Sequence, residues 1–189
     1  PSLRGSLQEQ PRITYCRGSN LKDKLSANVT RDKTSSLKAN LKGFFACGRC
    51  KACKNSKRMA EYTNKLSGEV CKISKNLNCK SDHVVYALIC PCEKWYIGST
   101  KHAAKTRVLE HKRAITNLDM QYPVARHFKE FHSNNADLLK YSILDRVDPM
   151  LRGGDRLLAL RKMESRYIVG LNTKIPEGLN MDEEMYIHL

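Results

Sequence analysis

The amino-acid sequence predicts a small α/β domain, a three-stranded and mostly antiparallel sheet flanked by helices. Three observations carry that expectation. The stretch from Val84 to Gly98, VVYALICPCEKWYIG, reads as a two-stranded hairpin. Leu138 to Val147, LLKYSILDRV, alternates as a third strand would. Between and after them lie segments with apolar residues at helical spacing, Ala103–Leu118, Pro123–His132 and a long stretch opened by Gly153-Gly154-Asp155.

In the hairpin, Val84, Val85, Tyr86, Leu88 and Ile89 are β-branched, aromatic or apolar and suit one strand. Trp95, Tyr96 and Ile97 begin the second after the break at Pro91, and Gly98 permits a close backbone approach where that strand ends. In the first helical stretch Val108, Ile115 and Leu118 form the buried side, and Arg107 and His111, four apart, share a face. In the second, Val124, Ala125, Phe128 and Phe131 can pack inward and Ser133-Asn134-Asn135 ends the helix. Asp155 is placed to cap the third, whose apolar stripe is Leu157, Leu160, Ile168 and Leu171. Glu164 falls in the middle of that stripe. A carboxylate on a core face needs a positive partner, either a divalent metal or one of the many lysines and arginines.

The chain has 189 residues, 41% of them hydrophobic, which allows one modest globular unit with extensions. It divides into a polar, basic linker or arm over 1–45, a cysteine-rich knuckle over 46–83, the α/β domain over 84–181 and a tail over 182–189. Pro1 in place of an initiator methionine predicts a piece of a larger polyprotein. No apolar run approaches the length a membrane span requires, so no membrane partner is expected. The formal charge of +15 is spread along the chain and points to nucleic acid, with an acidic protein as the other partner class.

Eight cysteines in short spacings beside so many lysines predict zinc sites in a reducing, intracellular compartment rather than disulfides. The run GFFACGRCKAC places Cys47, Cys50 and Cys53 at successive C-x-x-C spacing, where thiolates on a tight knuckle converge on one metal. The fourth ligand is Cys71 or Cys79 by chemistry, and a site of four thiolates is structural because no position stays open. Cys90 and Cys92 in the hairpin turn need two partners, and His127 and His132 supply imidazoles at zinc-finger spacing.

Tyr86 and Tyr96-Ile97-Gly98 together resemble the GIY-YIG nuclease motif, with Val84-Val85-Tyr86 standing where the first triplet has Gly-Ile-Tyr. With two cysteines between the halves, the pattern is similar to the endonuclease of Penelope-like retroelements, over roughly Cys47 to Asn180. The resemblance implies the GIY-YIG fold for 84–181 and adds roles. Arg107 would hold the scissile phosphate, His111 would assist proton movement, and Glu164 would bind the catalytic Mg²⁺ or Mn²⁺. Tyr86 or Tyr96 would orient or deprotonate the attacking water, and Asn180, in the closing turn Pro176-Glu177-Gly178-Leu179-Asn180, would order the site. Cys79 is favoured over Cys71 because the family places an Asn-Cys pair before the first strand, as Asn78-Cys79 stands here, and a Cys-Cys-His-His set matches Cys90, Cys92, His127 and His132. Arg17 to Asp23 resembles the segment that follows an upstream reverse transcriptase. The implied activity is nicking of target DNA to supply a 3′ hydroxyl for reverse transcription and DNA integration, which implies a nuclear protein. A non-catalytic, zinc-stabilised module binding DNA or the element's RNA explains the charge and the cysteines equally well. A regulatory protein-interaction domain is a third reading.

Overall fold

The hairpin forms where the sequence places it. In the computed structural model, which describes residues 42–149 and 154–181, β5 (Val84–Ile89) and β6 (Trp95–Thr100) pair antiparallel, with Tyr86 opposite Gly98 and Leu88 opposite Tyr96. Strand β7 (Lys140–Arg146) pairs antiparallel along the other side of β5, giving the order β6-β5-β7. The central strand is buried at all six positions, so it reads in sequence as a continuous apolar run rather than an alternation. All described residues belong to one unit, Ala39–Leu189. The arm segment Arg17–Asp23 and the tail 182–189 lie outside the described residues.

Three helices flank the sheet among the described residues: α1 (Ala104–Thr116), α2 (Pro123–Phe131) and α3 (Arg156–Gly170). Proline at the start of α2 needs no amide partner there, and Asp155 caps α3 by accepting hydrogen bonds from the amides of Leu157 and Leu158 at 2.8 and 3.0 Å. Val108, Ile115, Val124, Ala125, Phe128, Leu160 and Ile168 point into the core. Three residues expected there do not. Leu118 is 42% exposed because α1 ends at Thr116 and the chain turns with a left-handed φ of 58° at Leu118. Phe131 and Leu157 sit in the last and first turns of their helices, where the helix has run past the edge of the core, and both are exposed. Leu171 is buried, but as the C-cap of α3 rather than within it.

The cysteine-rich segment contains more secondary structure than its composition foretold. Strand β1 (Gly43–Phe45) pairs in parallel with β4 (Asn76–Asn78), and β2 (Glu61–Thr63) pairs antiparallel with β3 (Val70–Lys72). Each is three residues long, too short to show a period. Phe44 and Leu77 are fully buried, the Phe44 ring packs 5.3 Å from that of Tyr141 on β7, and the Lys57 amide donates to the Tyr141 carbonyl. Residues 43–78 therefore share the core of the main sheet.

Two glycines fix the working end of β6. A Cβ at Gly98 would stand 2.6 Å from Tyr86 Oη and 3.0 Å from Tyr96 Cε1, so only a hydrogen there lets the two rings lie across the strand. At Gly178 a Cβ would meet the Thr173 carbonyl oxygen at 2.1 Å, which closes the turn that brings Asn180 back to the sheet. Gly98→Ala should cost about 1–3 kcal/mol through overpacking against the buried Tyr86 ring, read as a lower urea midpoint at an unchanged slope.

Candidate active site and metal centres

Strand β5 and helix α1 bring Tyr86, Arg107 and His111 together. Tyr86 Oη lies 2.8 Å from His111 Nε2, and Arg107 Nε donates to the same oxygen at 3.3 Å. A guanidinium can only donate, so the phenol oxygen accepts from Arg107 and shares one further hydrogen bond with His111 Nε2, leaving Nδ1 as the other ring nitrogen. That Nδ1 is buried with no hydrogen-bond partner among the described residues. The imidazole is 1% exposed and is enclosed edge-on by Tyr86, Tyr96 and Tyr122, with ring centroids 5.8, 5.6 and 5.5 Å away. Burial, and secondarily the charge of Arg107, holds its pKa down to about 3, so His111 is neutral at physiological pH. Burial works against the charge of Arg107 as well, but Tyr86, Glu110 and Tyr122 outweigh it and keep the guanidinium charged. A salt bridge of 2.9 Å to Glu110 and the Tyr122 ring 5.6 Å away fix its direction.

Glu164 is not the core carboxylate that the apolar stripe of α3 led us to expect. It is half-buried, and its Oε2 accepts a 2.6 Å hydrogen bond from Ser99 Oγ. Ser99 follows Gly98 directly, so adjacent positions of β6 support the tyrosine cluster and the glutamate. Asn180 is fully buried and its side-chain amide brackets Ile97: the Ile97 amide donates to Oδ1 at 2.8 Å, and Nδ2 donates to the Ile97 carbonyl at 2.7 Å. It holds the middle of β6 from its open edge, which makes it a positioning residue in this geometry. Tyr96 is nearly buried, with its ring against His111.

The two predicted cysteine and histidine sets each converge. Cys47, Cys50, Cys53 and Cys79 place their sulfurs within 4.8 Å of one another, with Cys53 3.5, 3.4 and 3.6 Å from Cys47, Cys50 and Cys79. A tetrahedral zinc with four Zn–S bonds of about 2.3 Å separates its sulfurs by about 3.8 Å, so this spacing fits a tetrathiolate metal site. Cys71 lies opposite Tyr62 in the β2–β3 pair and takes no part in the cluster. Cys90, Cys92, His127 and His132 form the second set, with Cys90 Sγ 2.9 Å from His132 Nε2 and Cys92 Sγ 3.1 Å from His127 Nε2. Both clusters could hold a metal ion, and thiolate with imidazole is a donor set compatible with zinc. Among the described residues no other group of three or more Cys, His, Asp or Glu side chains converges in this way. Burial, with neighbouring thiols adding to it, pushes Cys50 up to about 12; burial likewise takes Cys90 to about 12.

Sequence reasoning did not find Ser99, Tyr122, Tyr141 or Lys112. Ser99 carried a weak signal as the residue after a constrained glycine. Tyr122 and Tyr141 carried none, because which ring meets His111 or Cys79 depends on how helices and strands pack. Tyr141 Oη donates to Cys79 Sγ at 3.1 Å, and Lys112 Nζ donates to Asn55 Oδ1 and Asp137 Oδ1, both at 2.9 Å.

Set against known protein families, curated proteins and solved structures, the chain matches none. No described helix is long and apolar enough to cross a membrane.

Because thiols such as Cys50 and Cys90 are protonated without metal, zinc uptake should release protons, and affinity should fall as pH is lowered. Titrating metal-free protein in a weakly buffered indicator dye should give about two zinc ions per chain, reduced by one in Cys79→Ser and by one in Cys90→Ser. A second expectation concerns His111. Its folded pKa lies below the unfolded value, so the unfolded chain binds the extra proton and stability falls as pH drops from about 6.5 toward 3, by at most about 1.4 kcal/mol per pH unit from this group. Imidazole NMR should show His111 neutral throughout, with no titration between about pH 5 and 8.

Proposed function

We propose that the protein is a metal-dependent DNA endonuclease of the GIY-YIG type, belonging to a Penelope-like retroelement. On this reading it nicks nuclear target DNA so that an upstream reverse transcriptase of the same polyprotein can prime on the exposed 3′ hydroxyl. The observation that carries the reading is the Tyr86 hydroxyl held between Arg107 and a neutral His111 above Gly98, with Glu164 anchored on the next residue of the strand. Solvated residues on a basic surface would not share one hydroxyl in this way.

On this reading the water-handling role falls to Tyr86, whose hydroxyl meets both Arg107 and His111. Tyr86 reacts as the phenolate that Arg107, 3.3 Å away, favours and takes the proton of the attacking water, while neutral His111 hydrogen-bonds to the same oxygen at 2.8 Å. Arg107 stabilises negative charge on that oxygen and on the phosphate. Attack of the water oxygen on phosphorus breaks the bond to the 3′ oxygen, which takes a proton from solvent, leaving a 3′ hydroxyl and a 5′ phosphate. Glu164 would hold a Mg²⁺ or Mn²⁺, which would supply Lewis-acid stabilisation of the phosphate and leaving group. Ser99 holds the Glu164 carboxylate, and Asn180 fixes the backbone of Ile97 in the same strand. The cysteine and histidine clusters are read as two structural zinc sites.

One observation favours the zinc-stabilised binding module instead: Tyr86 and His111 are each 1% exposed, as packed core residues would be. A plasmid-nicking assay with Mg²⁺ or Mn²⁺ separates the two. Glu164→Ala and Tyr86→Phe should each lower nicking by about 10²-fold or more, while DNA affinity stays within about twofold and falls steeply with salt. Parental nicking by Tyr86→Phe would remove the hairpin as the catalytic centre.

A further inference from the structure

At the end of β6 away from Gly98, a groove of about 910 Å³ opens between the segment Lys57–Lys65 and the β5–β6 turn. Its floor is apolar, formed by Met59, Ile89 and Leu171, which are buried, and by Trp95, which is half-buried. Lys57, Arg58 and Lys65, all exposed, also line it. Arg58 is held in place by its guanidinium lying 4.8 Å from the centre of the Phe45 ring. Glu61 and Glu93 line the groove as well, so with three cations and two carboxylates its lining is net positive. Trp95 is four residues from Ser99 on the same strand, about 13 Å at 3.3 Å per residue, so this groove is separate from the tyrosine cluster.

We propose that this groove binds a single strand of nucleic acid, with a base stacked on Trp95 and the phosphates beside Lys57, Arg58 and Lys65. The inference rests on the reading of the protein as one that acts on nucleic acid. An indole in the floor of a groove reaches only a base that has left the duplex, and every base offers it a π-face; a neighbouring row of cations tracks the backbone. The total charge of +15 favours a polyanion over a neutral ligand.

The chain contains one tryptophan, so indole fluorescence reports on Trp95 alone. Zinc-loaded full-length protein would be titrated with a fluorescently end-labelled oligothymidylate and with a labelled duplex of the same length, following label anisotropy and tryptophan emission together. The single strand should quench Trp95 as anisotropy saturates, and Lys57→Glu/Arg58→Glu should weaken that binding about tenfold or more. Lys65→Glu, at a separate position, should weaken it in the same direction if the double variant fails to fold. The duplex should leave Trp95 emission unchanged. Saturating anisotropy without any change in emission, equal quenching by the duplex, or parental affinity in folded Lys57→Glu/Arg58→Glu would each overturn the proposal. The endonuclease reading stands or falls separately: nicking that survives Glu164→Ala would sink the catalytic assignment while Trp95 quenching still upheld the groove.

Discussion

At Cys79 three parts of the molecule meet in one residue. Its sulfur belongs to the tetrathiol cluster, accepts the Cys47 amide at 3.4 Å and the Tyr141 hydroxyl at 3.1 Å, and its carbonyl accepts the amide of Lys105 at 2.9 Å. The cysteine knuckle, the β7 edge of the sheet and the first turn of α1 are therefore tied to one fully buried position. Burial first, and then the adjacent Cys79 thiol, keeps Tyr141 protonated and able to donate. Hydrogen bonds of this kind orient a metal-ligating sulfur and remove charge from it. Four thiols this close cannot all ionise in a low-dielectric site without a cation, so the cluster is a natural place for metal binding to add directly to folding stability.

The same helix carries the residues of the candidate active site. Arg107 and His111 lie on α1, which begins two hydrogen bonds after the cluster, at the Ser81 and Cys79 carbonyls. Further along α1, Lys112 reaches Asn55, whose Nδ2 donates to the carbonyls of Asp137 and Leu139 just before β7. Lys54 and Lys112 both pair with Asp137 and hold its carboxyl well below the usual range. These exposed pairs add little energy. Asn55 is different, because it is fully buried and satisfies backbone carbonyls that water cannot reach. The position of Arg107 and His111 over Tyr86 thus depends on the cysteine-rich segment at both ends of the helix.

On the other side of the hairpin the constraint is an open strand edge. Strand β6 ends the sheet, and residues 179–180 cover it: the Leu179 amide donates to the Trp95 carbonyl, and the Asn180 side chain takes both backbone groups of Ile97. An unpaired edge is a liability in any sheet. Here its protection also holds still the strand that carries Tyr96, Gly98 and Ser99.

The sequence by itself determined the antiparallel hairpin, the third strand, the helices and the Asp155 cap of the third helix, because hydrophobic period, proline, glycine and Asp155 act over a few neighbouring residues. It also determined which cysteines and histidines had the chemistry for two metal sites, since ligand type and short spacing are local. Only the tertiary structure decided the rest. Cys79 rather than Cys71 faces the other thiols because β4 runs beside β1, a pairing across more than 30 residues that no local period encodes. Glu164 sits half-buried against Ser99 rather than in the core, and Leu118, Phe131 and Leu157 stay outside it, because helical spacing gives a direction around the helix but not where the sheet beneath it ends. The Tyr86 hydroxyl meets Arg107 and His111 because a cross-strand glycine lets its ring lie across β6, and that is a fact of packing.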